Sequence, residues 1–392
     1  MHVYGEAEFW LSGGKCFLFV LLFSFTFVTM VGGNPQKDPY GFRHFSEPSA
    51  FREHITQGDL GRFEGFLGCL LVAAFSCTGP EYVTMIAAEA QHPRTYVKSA
   101  FKNVYWRQVV FFCGGALAVG ILVPYDDPRL ASFFAPDATG NTGTASASPY
   151  VIAMGNLGVD VLPHIVSAFL ATTLFSCGNT YSYCAARTLY GMALDGRAPA
   201  FLRKCTKKGI PIYCYGIVML FALLALLQLS ASSAQVLDWL ISMATSATIL
   251  HFVVMSITYI RFFAACTAQG FDRNTLPYKG WFQPHCAWLG MIWMTIVVFI
   301  FGYRSFAPWN TATFFTNYTL LILFPCLYTG WKLVKKTKIV KPKDVDLIWD
   351  APVITAYEQA LTEPPVGFWR GIWKSVTSLK KMVMRDYPGH MV

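Results

Sequence analysis

Charge is what this sequence has least of. Only 14% of its 392 residues are Asp, Glu, Lys or Arg, against 54% hydrophobic. A soluble domain carries about a quarter charged residues, so an ordinary soluble globular chain is excluded. A basic stretch ahead of the first apolar run is also missing. Residues 1–10 carry Glu6 and Glu8 instead, which is not the pattern of a secretory signal peptide. Cysteine is not scarce, at 11 residues, but no pair has zinc spacing. His92, His164, His251 and His285 stand in separate segments. No metal, disulfide framework, cofactor or nucleophile–base pair is predicted, and the chain does not read as an enzyme. Cys16, Cys69, Cys77, Cys113, Cys177 and Cys326 fall in apolar windows and read as small groups packing helices. His251 reads as a core histidine.

What is present is a series of apolar windows. Eight are long enough to span a bilayer, at about 10–32, 64–88, 108–124, 161–186, 211–229, 236–260, 284–303 and 314–332. They predict an all-α polytopic membrane protein. The connections after the second, fourth and sixth windows hold four, six and three Arg or Lys residues. Those after the third, fifth and seventh hold one, none and one. Basic residues mark the cytosolic side, so the even exits and the tail, 333–392, are predicted to be cytosolic. The connection after the first window is the exception, with four basic residues offset by Asp38, Glu47, Glu53 and Asp59. The net charge of +9 thus points to membrane lipids as partners and not to nucleic acid.

The second window carries the costliest chemistry. It runs GFLGCLLVAAFSCTGPEYVTMIAAEA from Gly65 to Ala90. Proline removes an amide donor and clashes with the preceding turn, and glycine costs a helix about 1 kcal/mol. A carboxylate at the bilayer centre costs about 3 kcal/mol or more unless partnered. Gly79, Pro80 and Glu81 therefore predict a broken helix lining a polar site, with a simple kink and an interfacial Glu81 as the other reading. The fourth window contains SCGNTYSYCAA, where Ser176, Asn179 and Thr180 either glue helices together or line a solute path. Lys15 stands at the start of the first window and reads as a lysine snorkelling to the interface. HPRTYVKSAFKNVYWR, from His92, reads as a short amphipathic helix on an anionic surface.

Several of these stretches carry a resemblance. GEAEFW at Gly5, AAFSCTGPEYVTMIAAEA, HPRTYVKSAFKNVYWR, LVPYDDPRL at Leu122 and SCGNTYSYCAARTLYGMALDGRAPAFL at Ser176 resemble the fungal amino-acid permeases. TYIRFFAAC at Thr258 and QGFDRNTLPYKG at Gln269 continue the match. These permeases belong to the amino acid–polyamine–organocation superfamily. The resemblance implies a partial five-plus-five inverted-repeat transporter fold, holding the second repeat and peripheral helices, with the first window matching the family's fifth helix. It implies amino-acid transport by alternating access, coupled to protons in the intact protein and located in the plasma membrane. It assigns Phe75, Ser76, Cys77, Thr78, Gly79 and Glu81 to substrate binding, and Glu81 and Lys15 to proton coupling. Its glycine-rich first-helix break has no match here. That implies the alternative of a transport-inactive, N-terminally truncated permease, or an incomplete gene product acting as a membrane interaction partner.

Overall fold

The computed structural model describes residues 2–47, 49–54, 56–76, 79–87, 90–133, 148–207, 209–229, 231–306, 309–361 and 364–367. Helices account for nearly all regular structure among them. They are α1 (His2–Met30), α2 (Asp59–Ser76), α3 (Tyr82–Ala87), α4 (Pro93–Arg107), α5 (Gly114–Leu122), α6 (Pro128–Phe133) and α7 (Pro149–Asn156). There follow α8 (Leu162–Leu194), α9 (Ile212–Ala222), α10 (Ala231–Ala268), α11 (His285–Ile300), α12 (Thr311–Lys335) and α13 (Ala351–Ala360). Four helical runs among the described residues are long and apolar enough to cross a membrane: Gly5–Met30, Pro93–Leu122, Gln235–Ala268 and Thr311–Lys335. The chain is a multi-pass helical membrane protein. Its outward faces carry large apolar side chains such as Val20, Phe27, Leu174, Phe175, Leu289 and Leu327, as a hydrocarbon surround requires.

The helix ends follow from local chemistry. After α1, Gly32 takes φ +95°, its amide bonds Thr29 O at 3.2 Å, and the Gly33 amide bonds Val28 O at 2.9 Å. That pair of bonds satisfies otherwise orphaned carbonyls, and only glycine adopts the required left-handed turn without cost. Residues after α7, α8 and α10 repeat the pattern around Gly158, Gly196 and Gly270. Asn310 caps α12, its Oδ1 accepting the Thr313 amide at 3.0 Å.

Packing forms two groups. In the first, Lys15 meets Ser176, Phe17 meets Phe169, and Leu22 shares a core with Val166. Rising numbers on α1 against falling numbers on α8 make these two helices antiparallel neighbours. α5, α7 and α9 complete this group around Ile121, Met154 and Cys214. In the second group, α10 packs on α11 and α12, and Ala74 of α2 shares a core with Ile249 and Val297. The first half of the broken run therefore packs with α10 and α11, and its second half, α3, packs against α8.

The predicted surface helix at His92 does not stand alone. α4 continues through a π-helical turn, Gln108–Cys113, into α5 without a break. At about 1.5 Å per residue, this 30-residue run is about 45 Å long, beyond the roughly 30 Å of hydrocarbon. Its basic half can project while its apolar half spans.

The thiols also differ from expectation. Cys184, Cys214 and Cys266 are buried, but Cys16, Cys69, Cys113, Cys177 and Cys326 are exposed on helix faces, because apolar windows have an outer side as well as a packed one. Cys77 lies outside the described residues. His251 is likewise exposed on α10 and lines a groove with Val254 and Leu320.

The connection after α1 explains its own exceptional charge. Arg43 donates two 2.8 Å hydrogen bonds to the Asp38 carboxylate, which hold that carboxyl below its usual range. The tail is docked as well: Arg261 bonds Val340 O at 3.1 Å, and Gln269 bonds Val345 O at 2.7 Å. Arg94 bonds Thr355 at 2.9 Å and pairs with Glu358 at 3.6 Å.

Candidate functional site

The second window is interrupted where glycine, proline and glutamate meet. α2 ends at Ser76 and α3 starts at Tyr82. Gly79 has φ +116°, which an L side chain adopts only with strain. No atom lies within 4 Å of where a Cβ would stand, so backbone shape and not space calls for glycine here. The Tyr82, Val83 and Thr84 amides bond the carbonyls of Gly79, Pro80 and Glu81 at 3.1, 3.2 and 3.0 Å, and these turns restart the helix. Glu81 folds back, its Oε2 accepting the Gly79 amide at 3.0 Å. The half-buried carboxylate thereby holds the interruption in shape with a local bond. Cys77 and Thr78 lie outside the described residues, as do the side chains of Phe75 and Ser76.

α3 then sets its side chains against α8. The Tyr82 and Tyr181 rings meet edge to face at 5.4 Å. A groove of about 400 Å³ runs beside them, lined by Cys184, Thr188 and Met192 among others. Among the predicted path residues, Ser176 is fully buried, while Asn179 and Thr180 are half-buried. Thr180 donates to Ser176 O at 3.0 Å.

The burial of Ser176 has a cause on α1. Lys15 Nζ donates to Ser176 Oγ at 2.6 Å and to Glu8 Oε1 at 3.2 Å. Ser176 Oγ in turn donates to the same Glu8 oxygen in a short hydrogen bond. Glu8 Oε2 is buried and has no hydrogen-bond partner among the described residues. Because α1 begins at His2, Lys15 lies near the middle of this 29-residue helix and not at its mouth, and its ammonium is bonded within the protein. Glu8 carried no assignment from the sequence. The available signal was its spacing: seven residues before Lys15 is two helical turns, so both side chains share one face. Nothing local, however, says that this face meets Ser176.

Together these elements offer a broken helix with a carboxylate at the break, and a partly buried carboxylate–ammonium–hydroxyl cluster between α1 and α8. They provide polar and ionisable groups inside an apolar bundle. No group of His, Cys, Asp or Glu suited to a metal ion occurs among the described residues.

Comparison with known proteins identifies the family. A family model described as amino acid permease matches residues 1–343. Over 365 residues the chain is 41% identical to the general amino acid permease AGP2 of Saccharomyces cerevisiae, covering 91% of this chain and 60% of that one. It is 34% identical to the dicarboxylic amino acid permease of the same yeast over 348 residues, 88% of this chain and 56% of that one. A lysine/arginine permease of Candida albicans is 33% identical over 384 residues, 95% of this chain and 65% of that one. The chain thus spans roughly three-fifths of the length of these relatives. No solved structure matches it. The chain belongs to the amino acid permease family, a family of membrane transport proteins and not of enzymes.

Proposed function

We propose that this chain forms the substrate-gating half of an amino-acid permease, which in the whole protein takes up amino acids together with protons. The observation that carries the reading is the interruption at Gly79–Glu81, where helix bonds are replaced by a turn inside an apolar run. Unwound backbone in a bilayer persists only where it lines a cavity or meets protein, and free amides and carbonyls suit the charged ends of an amino acid. In this reading Phe75, Ser76, Cys77, Thr78, Gly79 and Glu81 contact substrate. Ser176, Asn179 and Thr180 lie along its path, and Glu81 and Lys15 are the groups that exchange the coupled proton. The eight windows are eight spans of a five-plus-five inverted-repeat bundle, in the plasma membrane, with the tail in the cytosol. The relatives are named for general, dicarboxylic and dibasic substrates, so the class of amino acid stays open.

The test is uptake of a panel of radiolabelled amino acids by the whole protein in a transport-deficient host. Saturable, pH-dependent uptake is expected, lost in Glu81→Gln. No uptake above the vector control, with surface expression established, overturns the reading. A second reading is a membrane-embedded chain that interacts with relatives and does not transport by itself. One observation favours it: the described residues contain a single glycine–proline interruption beside an acid, whereas the inverted-repeat mechanism calls for two broken helices. Liposomes containing only the 392 residues should then show no uptake.

A further inference from the structure

The end of α4 and the connection from α10 to α11 form one exposed patch. Tyr105 and Trp106 are 62% and 72% exposed, and Trp281 and Phe282 are 85% and 79% exposed. The Tyr105 and Trp281 rings stack 6.5 Å apart with planes 4° from parallel. Behind them Phe101 stacks on Tyr278 at 6.4 Å. A hydrogen bond with Tyr105, aided by burial, pushes the Tyr278 phenol up to about 12. Lys98, Lys102, Tyr105 and Trp106 follow at helical spacing and share a face of α4. Lys279 adds a third exposed ammonium from the connection. Among the described residues none of these three lysines has an acidic partner.

The connection holds its aromatics outward by construction. Asp272 accepts the Asn274 amide at 2.9 Å. Arg273 bonds the Tyr259 hydroxyl at 2.8 Å and the Gln283 side chain, and lies 4.6 Å over the Phe263 ring. On this anchored frame Phe282 takes φ +48°, a region costly for a bulky side chain. Two large rings kept in the open, one of them on strained backbone, find compensation at the headgroup layer of a bilayer, where Trp and Tyr settle. Three unopposed ammonium groups beside them match a headgroup of negative charge.

We propose that this patch is a binding site for an anionic phospholipid, with Trp281 and Tyr105 at headgroup depth and Lys98, Lys102 and Lys279 on the phosphate and carboxylate oxygens. The test uses the 392-residue chain in phosphatidylcholine vesicles doped with photoactivatable phosphatidylserine or photoactivatable phosphatidylcholine, with cross-linked peptides mapped by mass spectrometry. Residues 98–107 and 278–282 should be labelled about fivefold or more in favour of phosphatidylserine, the order expected for one ammonium at an anionic surface. The Lys98→Gln/Lys102→Gln/Lys279→Gln variant should lose that preference while labelling of the tail stays unchanged. The corresponding triple Lys→Arg variant should keep it. Equal labelling by the two lipids at the patch, or a preference that survives the glutamine variant, overturns the proposal. A variant that loses labelling everywhere has lost its fold, and the lipid ratio at the patch of the unaltered chain then decides.

Discussion

Two carboxylates sit within the helical body and find their hydrogen bonds in opposite ways. Glu81 takes its hydrogen bond from the Gly79 amide, two residues away. Glu8 takes its partners from Lys15, two turns along α1, and from Ser176 on α8. A local turn travels with its own few residues, whereas a cross-helix cluster exists only while the two helices are docked. The difference separates what each acid contributes: Glu81 shapes a loop, and Glu8 joins two helices.

The largest test of this contrast is Glu8→Ala, which leaves Lys15 without a counter-ion inside the bundle. Breaking a fully buried pair costs about 3–5 kcal/mol. With Lys15 and Glu8 side chains 35% and 22% exposed, a loss of about 2–4 kcal/mol is expected, read as a lower midpoint of unfolding in mixed micelles. Glu81→Ala removes one local bond and should cost about 1 kcal/mol in the same assay. The opposite ranking would remove the distinction between the two acids.

Next in size is Gly79→Ala. With open space around the added methyl, the expected cost is backbone strain of about 1–3 kcal/mol. An unchanged midpoint would mean the turn relaxes without consequence. Ser176→Ala should cost about 1–2 kcal/mol and lose most of that cost when Glu8 is already alanine, since the pair acts as a unit. Full additivity in that double-mutant cycle would dissolve the cluster into independent contacts. The smallest effect is expected at the tail. Arg94 and Glu358 are 33% and 19% exposed, and their coupling should not exceed about 1 kcal/mol. Its loss should show as faster proteolysis of the segment around α13, with the bundle midpoint unmoved.

Some of this was legible in residues alone and some was not. The interruption at Gly79–Pro80 followed from backbone chemistry, because φ freedom and a missing amide act wherever the segment lies. The bonds between Asp38 and Arg43 bear out a reading in which acids offset the basic residues of that connection. The place of Lys15 within its helix was not legible because the window at 10–32 puts it near the entrance, while the helix opens at His2 and Glu8 and Ser176 take up its ammonium. The stretch from His92 looked complete as an amphipathic helix, yet the π turn carries it straight into α5, a continuity with no mark in composition.

Taken by itself, the sequence determined the chemistry of the chain: helices crossing a membrane, a break beside an acid, and basic residues gathered in alternate connections and in the tail. Scarce charge and the placement of glycine and proline act locally, so they could be read without coordinates. Only the tertiary structure decided which faces meet. Helical spacing says which side chains share a side, but not which neighbour covers it. Lys15 and Ser176 stand 161 residues apart, and their contact exists because α1 and α8 pack antiparallel.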